Sequence, residues 1–296
     1  MLETQSAKQE SGQIMQIEFQ APVSVIIPCF NCENTIIRAV NSVFKQTWQP
    51  KELILIDDGS TDESLSRLYD LRDHLGSSWI RILELRNNNG PGAARNAGWE
   101  AATQPYLAFL DADDAWHPCK VEIQLKYMQE NSEMAITGHH MKWLREGETA
   151  APLSNPYHIK YVTKNIMLAS NRLLTSTVML KRDLSFRFEP AKRYSEDYLL
   201  WLQVIFNECY AANIDLYMAY SYKPFYGQRG LSSHLWAMER GELDTYRRLR
   251  DKRLITWPCF AFVCIFSIIK YMRRVLITKT RVILNDHSVG LEGDSK

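Results

Sequence analysis

Three carboxylates crowd one short stretch of the sequence, where the apolar run YLAFLD ends at Asp111 and Asp113 and Asp114 follow. Neighbouring carboxylates repel one another unless a cation or a positive ligand group lies among them. On an extended backbone, residues two apart point to the same side, so Asp111 and Asp113 would face one site while Ala112 points away. Mg²⁺ and Mn²⁺ bind one or two carboxylates together with substrate phosphates and waters. The spacing therefore favours half of a metal site, although turns and helix starts, with Pro118 close by, use the same residue types.

The elements before this stretch alternate regularly. Apolar runs predict buried strands at 23–28, 52–57, 79–85 and 106–111, and helical spacing of apolar residues predicts helices over 34–46, 61–75 and 90–102. Strands that alternate with helices form a parallel sheet covered on both faces. The fold class is therefore α/β with a mostly parallel, Rossmann-like central sheet.

Ligands of such sheets bind at the carboxyl ends of the strands. Asp57 and Asp58 follow the second strand, so acidic residues lie at two strand ends of one rim. The segment NNNGPGAARNAG (87–98) adds glycines that allow close approach of the backbone and Arg95 that can pair with phosphate or an acidic neighbour. This segment is neither G-x-G-x-x-G after the first strand nor a P-loop, which argues against a dinucleotide oxidoreductase and a P-loop NTPase.

Length and charge narrow the classes of protein further. The chain has 296 residues and a formal net charge of +1, which gives no support to nucleic acid as a partner. The polar N-terminus carries no secretory signal, and with six cysteines this predicts a reducing cytoplasm. Cys29 and Cys32 form a C-x-x-C pair between a strand and a helix, which leaves a redox or metal use open.

The alternation loosens after residue 131. Strands are predicted at 133–140, 176–181 and 214–228, and a helix over 195–206 with Ser195 as its N-cap. His139 and His140 end the first of these strands, where they can line an acceptor site or serve the core. Glu196 and Asp197 follow the predicted cap, a position where the helix dipole favours acids in any case.

Five motifs in order carry a family resemblance: VSVIIPCFN, LILIDDGSTDES, NNNGPGAARNAG, YLAFLDADD and SEDYLLWLQ. Together they resemble family 2 inverting glycosyltransferases with the GT-A fold, in particular bacterial members that build exopolysaccharide or O-antigen. The resemblance covers about 22–235 and implies a nucleotide-binding part at about 22–114 and an acceptor part at about 115–235. Residues 1–21 would form a flexible tail, and 236–296 a C-terminal helical region, for which membrane association is one alternative.

The resemblance implies a role for each matching residue. Asp197 would be the catalytic base, and Asp113 with Asp111 would ligate a divalent metal, Mn²⁺ or Mg²⁺. The residues that would bind the nucleotide sugar are Pro28, Phe30, Asn31, Asp57, Asp58, Arg95, Asn96, Asp111, Ala112, Arg229, Ser232 and His234. Phe30 occupies a position that tyrosine often holds in the family, and QRGLSSH (228–234) resembles a segment that closes on the diphosphate.

The stretch 254–274 is apolar but falls short of the roughly 20 residues that span a bilayer, and Pro258 interrupts it. Basic residues lie on both sides of it: Arg247, Arg248, Arg250, Lys252 and Arg253 before, and Lys270, Arg273, Arg274, Lys279 and Arg281 in its last turns or after it. Such a segment suits the surface of an anionic membrane. The alternative is a helix packed on the catalytic domain or in a homodimer interface.

The sequence thus predicts an enzyme that transfers a sugar from a nucleotide diphosphate sugar, such as UDP-galactose or UDP-glucose, to a lipid-linked saccharide. The partners would be the donor, this acceptor and the inner face of the cell membrane, to which a cytoplasmic protein would bind peripherally. A polyprenyl phosphate as the acceptor and a non-catalytic nucleotide-sugar binding module are the alternatives.

Overall fold

The computed structural model describes residues 20–145, 147–148, 151–154, 156–190, 192–207, 209–222 and 234–290, with side chains described as far as residue 278. Within these residues the strands are β1 Gln20–Cys29, β2 Gln49–Asp57, β3 Ile80–Glu84, β4 Tyr106–Phe109, β5 Asp114–Trp116, β6 Met134–Trp143, β7 Ile159–Tyr161, β8 Met179–Lys181 and β9 Tyr210–Ser221. The helices are α1 Ile36–Phe44, α2 Ser64–Leu75, α3 Pro91–Ala101, α4 Lys120–Glu130, α5 Lys164–Ala169, α6 Glu196–Phe206, α7 Leu235–Asp251 and α8 Trp257–Gly290, with a 3-10 helix at Thr175–Thr177.

The described strands form one sheet in the order β3-β2-β1-β4-β8-β6-β9-β5, with β7 paired to β9. β1, β2, β3 and β4 pair in parallel, which confirms the parallel arrangement predicted for the first four strands. In the second half, β6 pairs parallel with β9, whereas β8 pairs antiparallel with β4 and β6, and β5 and β7 pair antiparallel with β9. The sheet is therefore mixed, with its longest strand pairs parallel and the short strands β5, β7 and β8 paired antiparallel.

Successive residues of the central strands pack on opposite faces of the sheet. Ile26, Ile54 and Phe109 belong to one apolar core, and Ile27 and Leu55 to another. Strands that are apolar on both faces require a cover on each side. α3, α6 and α7 supply the first cover, and α1, α2 and α4 supply the second. This confirms helices on both faces.

The acidic stretch does not have the extended backbone that the sequence suggested. β4 ends at Phe109, and the Asp114 amide donates to the Asp111 carbonyl over 3.1 Å, so the carboxylates lie on a turn. The argument from alternating side chains was therefore wrong. A turn presents its side chains differently because four residues reverse the chain direction.

The C-terminal helices share the core of the rest of the chain. Tyr246, Leu249, Ile255 and Val263 are buried in the same apolar cluster as Trp201 of α6. The C-terminal region is thus packed on the rest of the chain along part of its surface. No helix among the described residues is both long and apolar enough to cross a bilayer.

Candidate active site

The acidic turn is held by Ser176 of the 3-10 helix. The Ser176 hydroxyl accepts from the Asp111 amide at 3.1 Å and donates to Asp114 Oδ2 at 2.6 Å. The indole of Trp116 donates to the Ser176 carbonyl at 2.7 Å. Burial, assisted by the charge of Asp111, raises the pKa of Asp114 to about 7. Asp114 is thus an internal member of the turn, whereas Asp111 and Asp113 remain half-buried at its surface.

Arg95 connects the acidic turn to helix α6. It lies in the second turn of α3, and its side chain is only 5% exposed. One guanidinium nitrogen contacts Asp111 Oδ1 at 2.7 Å, and another contacts Glu196 Oε1 at 3.0 Å. Burial, together with the charge of Asp197, raises the pKa of Glu196 to about 7. The guanidinium therefore joins two acidic groups that are 85 positions apart in the sequence, Asp111 and Glu196.

Asp197 lies in the first turn of α6, deep in the same region. Its Oδ2 accepts from the Thr175 hydroxyl at 3.0 Å and from the Asn171 amide at 3.4 Å, and its Oδ1 accepts from the Tyr198 amide at 2.7 Å. Burial raises the pKa of Asp197, while the charge of Arg95 opposes the rise. A carboxylate with a raised pKa that keeps part of its surface accessible has the properties of a general base.

The predicted Ser195 cap was wrong. Ser195 has φ 56° and makes no side-chain cap bond, because this left-handed backbone differs from the extended conformation of an N-cap. A left-handed conformation in a residue other than glycine is costly and occurs often at functional sites. α7 approaches this turn closely: a Cβ on Gly241 would lie 2.7 Å from the Tyr194 carbonyl oxygen.

The 3-10 helix Thr175–Thr177 joins the two acidic elements, and sequence reasoning missed it. Thr175 binds the candidate base, and Ser176 binds the acidic turn. Thr177 accepts at its carbonyl from the buried amide of Gln124 at 3.1 Å. The available signal was the run of three hydroxyl residues, TST, which the prediction treated as the start of a strand.

The residues predicted to bind the nucleotide lie at the ends of β1 and β2. Asp58 accepts from the amides of Asn89 and Gly90 at 3.0 and 2.9 Å, and Gly90 has the positive φ of 87° that this loop requires. One oxygen of Asp57 accepts from the Ser60 amide at 3.3 Å. The other, Oδ1, is buried and has no hydrogen-bond partner among the described residues. Asp57 can therefore accept from a ligand, whereas Asp58 anchors the glycine-rich loop.

Phe30 and Asn31 lie at the rim beside Asp57. Phe30 is exposed, and Asn31 adopts φ 48° while its side-chain oxygen accepts from the Thr61 amide at 2.9 Å. Pro28 lies at the register of Ile56 in the β1–β2 pair, one residue before the strand end. Cys29 and Cys32 are buried free thiols below this rim.

Three other residues that were predicted to bind the nucleotide sugar have different surroundings in the structure. Both polar ends of the Asn96 side chain bind the Phe188 backbone, at 2.8 and 3.0 Å, so this amide fixes a loop within the protein. Ala112 is buried in the turn, and His234 is exposed directly before α7. Arg229 and Ser232 lie outside the described residues.

The two histidines of β6 differ in their surroundings. His139 is buried, and burial lowers its pKa well below the ordinary value, so it belongs to the core. His140 lies at the surface, where its Nε2 is 2.9 Å from Asp215 Oδ1.

The acidic turn is compatible with the implied divalent metal. Among the residues that the structure describes, no group of three or more acidic, histidine or cysteine side chains converges as a closed metal site. Asp111 and Asp113 are half-buried and offer hard oxygen donors at the surface of the acidic turn. Hard cations that retain waters and bind substrate phosphates use such open carboxylate pairs.

The mixed α/β sheet, with acidic groups at the carboxyl ends of its strands and the acidic start of α6 near them, has the GT-A fold. Staphylococcus aureus TarS has the same fold: its structure in complex with UDP-GlcNAc matches with a TM-score of 0.60 and 21% identity, over 77% of this chain and 66% of that one. Its complex with UDP matches with a TM-score of 0.57 over 76% of this chain, which covers 65% of that structure.

The chain belongs to glycosyltransferase family 2, whose model, described as glycosyl transferase family 2, matches residues 24–194. Escherichia coli UDP-Glc:alpha-D-GlcNAc-diphosphoundecaprenol beta-1,3-glucosyltransferase WfgD is 32% identical over 62% of this chain and 69% of its own length. A putative teichuronic acid biosynthesis glycosyltransferase of Bacillus subtilis, TuaG, is 32% identical over 80% of this chain and 92% of its own. The family prediction is confirmed.

Proposed function

We propose that this glycosyltransferase transfers a sugar, with inversion, from a UDP-sugar such as UDP-glucose or UDP-galactose to a lipid-linked saccharide during synthesis of a bacterial surface polysaccharide. Two relatives support the lipid-linked acceptor, since WfgD and WfaP of Escherichia coli are named as glucosyltransferases that act on GlcNAc-diphosphoundecaprenol. Staphylococcus aureus TarS supports a uridine nucleotide, because it is solved with UDP and with UDP-GlcNAc. The protein would act on the cytoplasmic side of the cell membrane.

The observation that carries this proposal is the bridge that Arg95 forms between Asp111 and Glu196. It brings a carboxylate at the end of β4 next to the start of α6, where Asp197 is the neighbouring residue. Transfer between two substrates needs groups for the leaving diphosphate and for the attacking hydroxyl in one cleft. Through Arg95, the group proposed for the diphosphate, Asp111, and the group proposed for the hydroxyl, Asp197, would lie in the same site.

The donor would bind at the carboxyl ends of β1 and β2. The unpaired Oδ1 of Asp57 would accept the imide N–H of uracil, and the exposed ring of Phe30 would lie beside the base. A buried carboxylate oxygen without a hydrogen-bond partner costs about 1–3 kcal/mol. The uracil N–H would remove this cost by donating to Asp57. Arg95 is already engaged by two carboxylates, so its contribution to diphosphate binding would be mainly to fix Asp111.

A divalent cation bound by Asp111 and Asp113 would place positive charge beside the departing diphosphate. Asp197 would accept the proton of the acceptor hydroxyl. The hydroxyl oxygen would then form its bond to the anomeric carbon from the face opposite the diphosphate, and the bond between that carbon and the phosphate oxygen would break. UDP leaves with the electron pair of that bond, and the configuration at the anomeric carbon inverts.

The raised pKa of Asp197 suits this role. An ordinary aspartate is too weak a base to accept a proton from a sugar hydroxyl efficiently, whereas burial strengthens it. The hydrogen bonds from Thr175 and Asn171 hold one carboxylate oxygen in place.

The test is UDP release from a panel of UDP-sugars, with and without a synthetic GlcNAc-diphosphate lipid, in Mn²⁺, Mg²⁺ or EDTA. We expect one donor to release UDP in proportion to the acceptor and only with a divalent cation, and a product of inverted anomeric configuration. Transfer to a polyprenyl phosphate alone would instead identify a sugar-phospholipid synthase. UDP-sugar binding without release in any condition would identify a binding module.

A further inference from the structure

Helix α8 has two faces of different character. Its inner face is fixed on α7 by polar contacts: the Ser267 hydroxyl donates to Glu239 at 2.8 Å, Arg274 contacts the other oxygen of Glu239 at 2.9 Å, and Lys270 contacts Glu242 at 2.7 Å. Ser267 and Glu239 are completely buried, so these contacts set the rotation of α8 about its axis. The outer face is consequently presented to solvent in one fixed orientation.

The outer face is apolar along its described length. Phe262 is 69% exposed, Ile265 61%, and Ile269 and Met272 both 59%. These positions are separated by three or four residues and therefore form one stripe on the helix. In the described part of α8, every exposed side chain from Trp257 to residue 278 is apolar except Arg273. From Phe262 to Met272 the stripe runs for about 15 Å at 1.5 Å per residue. We call this surface, defined by Phe262, Ile265, Ile269 and Met272, the α8 stripe.

The basic residues around α8 are fewer at the surface than the sequence suggested. Lys270 and Arg274 point inward to α7, and Arg247 and Arg248 contact Asp244 at 2.6 and 2.8 Å. Among the described side chains next to α8, Lys252 and Arg253 are exposed before the helix and Arg273 beside the α8 stripe, while Arg247 is exposed but paired with Asp244. An open concavity of about 450 Å³ at this end is lined by Arg250, Arg253 and Trp257, among others. Basic residues therefore lie at both ends of the α8 stripe. We call Lys252, Arg253 and Arg273 its basic margin.

We infer that the α8 stripe inserts into the surface of an anionic lipid bilayer, with α8 lying in the plane of the membrane. An exposed apolar stripe of this length marks an interaction surface. The basic margin is complementary to anionic lipid. A second copy of the chain fits less well, because an interface with two-fold symmetry brings the same surface to itself. Arg273 would then meet Arg273 in a parallel pair, or approach Lys252 and Arg253 in an antiparallel one.

The position of α8 gives this docking a role, which rests on the proposed function. Lys270 donates to the Ala169 carbonyl at 2.9 Å, at the C-terminus of α5. Two residues later, Asn171 contacts Asp197. The membrane-facing helix is therefore adjacent to the segment that holds the candidate base. Docking by the α8 stripe would bring the acceptor side of the cleft, rather than the nucleotide side, near the lipid surface from which the acceptor comes.

The test is co-sedimentation of the full chain with vesicles of phosphatidylglycerol and phosphatidylcholine, or of phosphatidylcholine alone. Removal of α8 is unsuitable, because Val263 and Ser267 are buried. The variant is Phe262→Gln with Ile269→Gln, since both side chains are exposed. Tyr210→Gln is the matched control, because Tyr210 is 59% exposed on β9 and lies outside α8. Thermal unfolding and acceptor-independent UDP-sugar hydrolysis, measured without lipid, report separately on the fold and the donor site.

We expect the wild type and Tyr210→Gln to sediment with anionic vesicles and to bind neutral vesicles more weakly. The double variant should lose about 10- to 100-fold in partitioning, as expected for two large side chains removed from partial insertion. High salt should weaken the binding only in part, because salt screens the basic margin but not the inserted stripe.

Three results would overturn the inference. One is a monomeric wild type that ignores both kinds of vesicle. Another is a double variant that sediments as the wild type does. The third is a wild-type dimer in solution, by sedimentation velocity, that the double variant dissociates, since the stripe would then be a subunit interface. None of these depends on whether the chain transfers a sugar, so failure here and failure of the proposed function remain distinguishable.

Discussion

Replacement of Arg95 by methionine should destabilise the protein strongly at pH 8. The guanidinium is 5% exposed and contacts two carboxylates at 2.7 and 3.0 Å. Removing one partner of a buried ion pair costs about 3–5 kcal/mol, because it leaves the remaining charge buried without compensation. Methionine has a similar length, so the cavity contribution is small. For a protein of this size, each kcal/mol lowers the melting temperature by about 2–4 °C, which gives a decrease of about 6–20 °C.

The stability that Arg95→Met loses should be larger at high pH than at low pH. The pKa of Glu196 is already raised to about 7 in the presence of Arg95. A carboxyl with a raised folded pKa contributes stability below its unfolded pKa, and this stability is lost as the pH rises through the folded value. Without Arg95 the folded pKa of Glu196 rises further, so the variant loses more between pH 6 and pH 9 than the wild type does. At pH 5.5 the two proteins should differ least.

Urea unfolding at pH 5.5 and pH 8 measures both effects. Arg247→Met is the matched control, because Arg247 is 60% exposed and its contact with Asp244 lies at the surface; it should change the free energy of unfolding by about 1 kcal/mol at most. Adding Glu196→Gln to Arg95→Met should recover part of the loss at pH 8. A variant that is as stable as the wild type at pH 8, or that loses the same amount at both pH values, would refute the account of this bridge.

Three further predictions concern the acidic turn and its support. Ser176→Ala should lower the turnover number about tenfold or more and destabilise by about 1–3 kcal/mol, because Asp114 loses its buried donor; unchanged turnover, measured by UDP release, would contradict the role of the 3-10 helix. Asp113→Ala should abolish cation-dependent transfer while the melting temperature holds or rises, since a repelling charge is removed; full transfer in Mn²⁺ would exclude Asp113 as a ligand. Lys120→Met should raise the free energy of unfolding by about 1–3 kcal/mol at pH 7. The Lys120 amine is fully buried and has no hydrogen-bond partner among the described residues. Its desolvation therefore costs more than it gains from the Trp116 ring 3.7 Å away. Burial lowers the pKa of Lys120 well below its ordinary value, so the stability gained by the variant should shrink as the pH rises toward 10; a calorimetric loss of stability at pH 7 would show that the aromatic contact prevails.

The sequence predicted the parallel half of the fold well, because each element there has a strong local signal. The apolar runs of β1, β2 and β4 are buried on both faces, and the helices between them have clear apolar spacing. The short antiparallel strands of the second half were not predictable in the same way. β5, β7 and β8 are only three residues long, and their pairing partners are distant in the chain. Such short strands form only because a preformed neighbour supplies the hydrogen bonds, which no local pattern reveals.

The residues of the candidate site also divide into those that the sequence predicted and those that it did not. Asp57, Asp58 and Asp111 lie at strand ends, where the topology of a parallel sheet places ligand-binding groups, so their positions followed from the pattern. The roles of Thr175, Ser176 and Glu196 depend on contacts with residues distant in the chain: Thr175 lies 22 positions from Asp197, Ser176 62 from Asp114 and Glu196 101 from Arg95. Asn96 is the opposite case. It lies inside a motif predicted to bind the nucleotide sugar, but its side chain binds the backbone of Phe188 and holds that loop in place. Spacing within a motif cannot distinguish a ligand contact from an internal one.

The central claim is that Asp197 is the base of a sugar transfer from a UDP-sugar, and one comparison tests it most directly. The rate of acceptor-dependent UDP release is measured for the wild type and Asp197→Asn, together with the affinity of each protein for UDP. The amide retains the size of the side chain and can still accept from Thr175, but it cannot take the proton of the acceptor. We expect the rate to fall by about 10²- to 10⁴-fold with an unchanged affinity for UDP. A variant that releases UDP as fast as the wild type in the presence of acceptor would contradict the account.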